Sequence, residues 1–286
     1  MGVVLLSAIA SAVHTQQTVP PIVEMLNDDV PIWSVGDSWT YTVSSFTVDY
    51  DANGQRVYCT GRIDDVTLTV SSTSGTNYVV DVTGKITCGY SIHVRSSSLT
   101  LDMVGSLKPS TTKLSGSMVF SKSNLQPVDG TAVIKGISMA KISPLPFAVP
   151  LPIKISLDGD LSQPFPLFQF PLYTHKFWEM PDLQIQSNIK AGGIFGLIQI
   201  PVTFTTQYSW LPFAFHCVDK QSISVPAGTY TAWHITSTFF DMFDYYYAPA
   251  VGNLVKIDAV LPNGEVHAVL KSTTYSWDFL ICSSHI

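Results

Sequence analysis

The sequence predicts an all-β protein made of two tandem, curved antiparallel sheets, each half-barrel or sandwich-like. Only 13% of the residues are charged and 12% are aromatic, and Ser and Thr replace Lys and Glu as the main polar residues. This composition favours pleated strands over helices. Apolar and polar residues alternate with a period of two in many segments, and turn residues separate these segments. A similar order of motifs in both halves also predicts an internal duplication.

The N-terminal residues indicate a protein that is extracellular or on the cell surface. Residues 1–30 contain an apolar stretch, Gly2–Val13, that resembles the hydrophobic region and small-residue cleavage site of a secretion signal, although no basic region precedes it. The alternative is an assembly tail that becomes ordered by packing against something else. The stretch is too short to span a bilayer as a helix. A polar, Pro-containing lead follows it.

Residues 31–143 form the first predicted β-unit. Its first strand includes the alternating segment Trp39–Val43, whose aromatic and Val residues share one face. Asn53-Gly54 lies between strand-like runs and predicts a two-residue hairpin turn. A strand after Gly75-Thr76 and further alternating segments complete this unit.

Residues 144–169 are predicted to connect the two units. Prolines interrupt the apolar residues here, and proline cannot donate a hydrogen bond to a β-ladder. We therefore expect an extended connector or a sheet edge rather than central sheet. The segment is too apolar for a solvated linker, so it is expected to pack along one or both units.

Residues 170–286 form the second predicted β-unit. Its alternating strands flank Ala191–Ile200, which is either a buried turn and strand or an apolar loop that touches lipid; the buried alternative is favoured because exposed apolar patches are uncommon. The turn at Val225–Gly228 opens a strand in which we expect Trp233 and Ile235 to face the core.

The two units share an order of motifs. A tryptophan, a strand after Gly-Thr and a strand at Asn-Leu occur in this order in both halves. Aligning Gly75-Thr76 with Gly228-Thr229 without gaps places Val80 on Trp233. Three matches in the same order favour a duplication, and coincidence among Thr- and Val-rich strands is the alternative.

Three segments resemble motifs of a broad group of secreted bacterial and archaeal β-proteins of uncharacterised function: Gly36–Tyr41, Val225–Tyr230 and Tyr246–Gly252. The pattern is Gly-Asp-x-Trp-x-Tyr, then Val-Pro-Ala-Gly-Thr-Tyr or Phe, then Tyr-x-x-Pro-x-Val-Gly. The resemblance covers most of residues 31–280 and implies curved half-barrel sheets similar to those of bacterial lipoprotein carriers. It implies no active site, because its motifs are structural. The first unit departs from the pattern, since no Val-Pro-Ala precedes Gly75.

The four cysteines are predicted to form one disulfide in each unit. No cysteine lies in a Cys-x-x-Cys pair, which disfavours zinc and redox sites. Two cysteines fall in each half, and the natural pairing joins Cys59 to Cys88 and Cys217 to Cys282. On the chain-entropy model these bridges would contribute about 3.5 and about 4.4 kcal/mol. Four buried free thiols are the alternative, which the inferred compartment disfavours.

No motif indicates catalysis, so we expect the protein not to be an enzyme. Ser38 follows Gly36-Asp37, as in the nucleophile block of one lipase family, but it opens an alternating strand and no Gly-x-Ser-x-Gly occurs in the sequence. The seven histidines show no spacing typical of metal ligands. No metal site or cofactor is therefore expected.

One weak calcium candidate remains. Asp49, Asp51 and Asn53 match the first half of a calcium-binding loop, but the last ligand position holds Thr60 instead of Glu. The hairpin turn already accounts for Asn53-Gly54, so the turn is favoured over calcium.

Two functions remain from the sequence. The first is a structural subunit of an extracellular filament or other assembly, joined by adding its N-terminal strand to a neighbouring sheet. Because charged residues are sparse, few of them are available to prevent sheet edges from pairing with other chains, which favours self-association. The alternative is a carrier or sensor that binds an apolar ligand or lipid in an aromatic concavity. The candidate lining residues are Trp39, Tyr41, Trp178, Trp210 and Trp233, most of which are expected simply to fill the core.

The charge of the chain argues against a nucleic-acid partner. The formal net charge is −6, and the Lys and Arg residues are scattered along the sequence. We therefore expect no basic stripe that would neutralise a phosphate backbone.

Overall fold

The computed structural model of the protein describes residues 30–52, 55–95, 100–161, 166–179, 183–193, 198–208, 214–238, 243–261 and 264–276. These residues contain fourteen β-strands, one 3-10 helix at Pro249–Val251 and no α-helix. The strands are β1 (Ser38–Ala52), β2 (Gln55–Ser74), β3 (Asn77–Arg95), β4 (Thr100–Ser121), β5 (Pro127–Ile142), β6 (Ala148–Leu161), β7 (Lys176–Glu179), β8 (Leu183–Gly193), β9 (Ile198–Tyr208), β10 (Ala214–Val225), β11 (Gly228–Ser237), β12 (Phe243–Ala248), β13 (Asn253–Leu261) and β14 (Gly264–Thr273).

All the described strands belong to one curled, open antiparallel sheet. Its order is β7-β10-β11-β12-β13-β14-β1-β2-β3-β4-β5-β6-β8-β9. The prediction of an all-β protein with curved antiparallel sheets is confirmed. The two predicted tandem sheets are joined into one, because β14 pairs with β1 and β6 pairs with β8. The sheet ends at β7 on one side and at β9 on the other.

The predicted turn before β11 sets the register of its hairpin. Val225 pairs with Gly228, so the turn residues are Pro226-Ala227. Gly228 has a φ of 142°, a conformation that glycine adopts readily and other residues do not. Trp233 and Ile235 are buried, as the alternation of β11 predicts. A local pattern thus fixes both the turn and the inward face of this strand.

The main core lies where β1–β4 and β10–β14 curl around a segment that precedes β7. In β1, Trp39 and Tyr41 are buried and alternate with half-buried threonines. Phe168 and Leu172, from the segment between β6 and β7, are buried among the same aromatic residues. The inner side of this part of the sheet is therefore filled by protein side chains.

Part of the predicted connector, residues 144–169, is a strand of the sheet. Ala148–Leu161 forms strand β6, which pairs with β5 and, from Lys154 onward, with β8. Pro150 and Pro152 lie in the part of β6 that pairs with β5 alone. No described strand lies on the other side of this part, so the absence of the proline N–H groups removes no hydrogen bond there. The expectation of an edge holds for this half of β6, while its second half lies within the sheet.

The pairing of the long strands β1–β4 is irregular at about the same height along each strand. The register shifts after Val43 in β1, between Asp64 and Thr67 in β2, and between Leu107 and Thr112 in β4. Bulges of this kind bend a strand and increase its twist. A second core cluster lies at the same level. It consists of Val43, Phe46, Ile63, Ile86, Cys88, Leu107, Leu114, Val266 and Ala268.

Candidate functional site

The predicted aromatic concavity was the first candidate site, and its described members are all buried. Trp39, Tyr41, Trp178 and Trp233 belong to the main core cluster. Trp210 lies outside the described residues. The ring centroid of Trp39 is 4.8 Å from that of Trp33 and 5.8 Å from that of Tyr275. A ligand on this side of the sheet would have to displace packed rings.

The polar atoms of three of these side chains are also engaged. Trp39 Nε1 donates to the Val251 carbonyl at 2.8 Å, and the Tyr41 hydroxyl donates to the Leu254 carbonyl at 2.8 Å. Trp178 Nε1 donates to the Pro166 carbonyl at 2.8 Å. Burial raises the pKa of Tyr41 far above its ordinary value, so this hydroxyl remains a donor. These bonds lock the rings in place and leave them no free polar group for a ligand.

The cysteines of the first unit are neighbours, but the predicted disulfide is absent from the structure. Cys59 and Cys88 are free thiols on adjacent strands β2 and β3. A hydrogen bond from one thiol to the other, together with burial, raises the pKa of Cys59. For the second predicted bridge, Cys217 is buried in β10, whereas Cys282 lies outside the described residues.

The weak calcium candidate lies in the β1–β2 hairpin. Ala52 of β1 pairs with Gln55 of β2, and Asn53 and Gly54 lie outside the described residues, so the predicted turn stays a prediction. The Asp49 carboxylate accepts two hydrogen bonds from Arg56, at 3.2 and 3.0 Å. In the described part of the chain no group of three acidic, His or Cys side chains is placed to hold a metal ion. The hairpin and the ion pair account for these acidic residues.

Lys176 has unusual surroundings that the sequence did not reveal. Its side chain is only 6% exposed at the start of the edge strand β7, opposite Cys217 of β10. The Lys176 ammonium donates to the carbonyl oxygens of Gln169 and of Pro171, the latter at 2.8 Å. Burial lowers the pKa of Lys176 to about 8. Lys176 thus holds the segment before β7 against the sheet edge. Burial of its charged ammonium opposes this contact, because the charge loses hydration.

Lys176 is expected to make the stability of the protein rise with pH. Its pKa is about 8 in the folded protein, against 10.5 ordinarily, so the unfolded chain binds more protons between these values. Denaturant unfolding measured between pH 8 and pH 9 should therefore show an increase of up to ~1 kcal/mol in the free energy of unfolding, relative to the Lys176→Met variant. Lys108→Met, at an exposed position of β4, removes one lysine without touching this site and is the control; its free energy of unfolding should change with pH as that of the wild type does. Equal slopes for wild type and Lys176→Met would contradict the assignment.

Three histidines pair with aspartates across neighbouring strands. His93 Nδ1 lies 2.7 Å from Asp102, and His267 Nδ1 lies 2.8 Å from Asp258. His234 Nε2 lies 2.5 Å from Asp244. All three pairs are part-buried on the sheet and have no adjacent nucleophile in a described hydrogen bond. They can cross-link neighbouring strands, and their pairing depends on register, which the sequence alone does not give.

A polar cleft opens beside the segment that precedes β7. Its volume is about 380 Å³. Gln126 Nε2 donates to the Phe168 carbonyl at 3.4 Å and so ties the two walls together. The lining contains amide, hydroxyl and aromatic groups but no ionisable side chain, so it offers no general acid or base. The lining residues are Val30, Ser123, Asn124, Gln126, Phe168, Gln169, Phe170 and Pro171.

Comparison with family models, curated proteins and solved structures finds no significant match to this chain. The resemblance to secreted bacterial and archaeal β-proteins therefore stays a prediction. In the part of the chain that the structure describes, no helix is long and apolar enough to cross a membrane.

Proposed function

We propose that this chain is a non-enzymatic structural protein of the cell surface or extracellular space, and that its copies assemble by adding a strand to the open edge of β9. The observation that carries this proposal is the β9 edge itself. Each residue of β9, Ile198–Tyr208, has a partner in β8, and no other described strand pairs with it. Among the described residues, its other row of backbone groups has no strand partner and could pair with a further strand.

The composition of β9 suits it to accept a strand. Its sequence, IQIPVTFTTQY, has no charged residue, whereas natural edge strands are commonly protected by charges. One proline, Pro201, removes a single donor from the ladder. An uncharged edge of this length is a template for strand addition.

The other open edges of the described sheet are less suited to pairing with a further strand. The opposite edge strand, β7, has only four residues, Lys176–Glu179, so it offers a short ladder. The exposed half of β6 carries Pro150 and Pro152, which cannot donate to an added strand. Residues 218–225 of β10 pair with β11 alone but include Asp219 and Lys220, and the end of β11 that pairs with β10 alone has only five residues. We therefore propose that addition is directed to β9.

The donor that fits this edge is the apolar N-terminal segment. Val3–Val13 is uncharged, has the same length as β9 and is rich in Val, Leu, Ile and Ala. Backbone hydrogen bonds would supply affinity, and alternate side chains would supply specificity. The carrier alternative has less support, because the aromatic side of the sheet is filled by packed side chains.

Charging the β9 edge is expected to abolish assembly. Thr203→Lys with Thr205→Lys adds two charges to β9, and strand pairing at this edge should be lost without unfolding. Thr60→Lys with Thr83→Lys adds the same charge at exposed positions of β2 and β3 that are paired on both sides, and is the matched control. Sedimentation velocity over a range of concentrations and electron microscopy should show polymers for the wild type and the control, and monomers for the β9 variant.

Removing residues 1–13 tests the donor separately. This truncated chain should stay folded, as judged by its thermal melt, and should be monomeric. The proposal fails if the wild type stays monomeric at high concentration, or if the β9 variant polymerises as the wild type does.

An extracellular location also agrees with a disulfide between Cys59 and Cys88. The two free thiols lie on adjacent strands, and Cys59 is two residues from Gly61, the direct partner of Cys88. Disulfides persist in oxidising compartments, so we propose that this pair closes after export.

A further inference from the structure

Three lysines from distant parts of the sequence form a straight row on the outer face of β4–β6. Lys113 of β4 pairs directly with Lys135 of β5, which pairs directly with Lys154 of β6. Directly paired residues of an antiparallel sheet point to the same face, and neighbouring strands are about 4.8 Å apart. The three side chains are exposed, and the row spans roughly 10 Å.

These lysines are not neutralised by the described residues around them. Ion pairs in the described part of the chain involve other cations, such as Arg56, Arg62 and Lys271. Like charges directly opposite each other on neighbouring strands are unfavourable. A protein of net charge −6 thus places three repelling cations side by side, which points to an anionic partner.

Exposed apolar side chains lie next to the lysine row. Two residues further along β5, Ile137 is 51% exposed and pairs with Pro152; then Met139 is 43% exposed and pairs with Pro150. At the turn before β6, Phe147 is 60% exposed. We name Lys113, Lys135, Lys154, Ile137 and Met139 the basic–apolar patch.

We infer that the basic–apolar patch binds the surface of an anionic lipid bilayer. Lysines attract anionic headgroups, while apolar side chains enter the boundary between headgroups and acyl chains. A polyanion such as a nucleic acid or an acidic polysaccharide would use the lysines but gain little from Ile137 and Met139. The combination therefore favours a bilayer, and it is independent of the β9 edge.

Vesicle flotation with the full chain tests whether the lysines attract anionic headgroups. The probes are vesicles of phosphatidylcholine mixed with phosphatidylglycerol, and vesicles of phosphatidylcholine alone. The chain should float with the anionic vesicles only, and less at high salt. Changing Lys113, Lys135 and Lys154 to Gln should weaken binding about 100-fold, since each lysine near an anionic surface contributes about fivefold.

A charge-matched variant controls for net charge. Changing Arg56, Arg62 and Lys271 to Gln removes the same charge from exposed cations that each face a carboxylate. This control should bind anionic vesicles nearly as well as the wild type. Thermal melts of both variants check that they are folded.

A variant of the exposed apolar residues distinguishes binding to a bilayer from binding to a polyanion. Ile137→Ser with Met139→Ser should reduce flotation at least several-fold and leave binding to heparin unchanged. The inference is overturned if the wild type does not float with anionic vesicles, or if the lysine variant and its control bind equally. It is also overturned if the Ser variant floats as the wild type does, in which case the patch is a polyanion site.

Discussion

Replacing Trp39 with Ala is expected to lower the free energy of unfolding by about 3–5 kcal/mol, the range for large aromatic truncations in a core. Trp39 is 0% exposed, and its ring contacts Trp33 and Tyr275 at centroid distances of 4.8 and 5.8 Å. The change would also leave the Val251 carbonyl without the Trp39 indole donor. Guanidinium unfolding followed by fluorescence and circular dichroism measures the loss.

Two variants separate the causes of this loss. Trp39→Phe keeps a ring but loses the donor to Val251, so it should cost less than the Ala variant and at least about 1 kcal/mol. Val35→Ala changes an exposed side chain and should be nearly neutral. A loss below about 1 kcal/mol for Trp39→Ala would mean that Trp39 is not part of the packed core.

The inward residues of this sheet could be predicted because the strand pattern is local. The period of two in Trp39–Val43 and in the strand of Trp233 depends only on neighbouring residues, and both segments face the core as expected. The structure does not place Gly75 and Gly228, which the sequence alignment matches, at the same position of their hairpins. Ser74 pairs with Asn77, so Gly75 lies within its turn, whereas Gly228 is already the first residue of β11. Similar dipeptides thus occupy different places in the two hairpins.

The lysine row and Lys176 could not be predicted, because both depend on strand register between distant segments. Lys113, Lys135 and Lys154 appear scattered in the sequence, and only the β4–β5–β6 pairing places them side by side. The expectation that the protein has no nucleic-acid partner stays a prediction. The burial of Lys176 likewise depends on carbonyl groups of the preceding segment folding over it. Register of this kind depends on long-range pairing, which no single segment encodes.

Oxidation of the Cys59–Cys88 pair is expected to stabilise the protein by about 3.5 kcal/mol on the chain-entropy model. Cys88 pairs directly with Gly61, so Cys59 lies two residues away in register on the adjacent strand, and both cysteines belong to or pack against the same core cluster. Oxidised glutathione would accept two electrons and two protons from the thiols and leave as two reduced glutathiones. Thiol labelling with peptide mapping by mass spectrometry locates the bridge, and thermal melts with and without reductant measure its effect.

Cys59→Ser is the matched control for this prediction. It removes one partner and keeps a small hydroxyl, so the oxidant should no longer raise the melting temperature through this pair. Cys217→Ser should still form the Cys59–Cys88 bridge, because Cys217 is buried in β10, in the other core cluster. If both thiols of the wild type remain labelled after exposure to oxidised glutathione, the pair is a structural dithiol. The stability of an extracellular form would then have to come from the two cores alone.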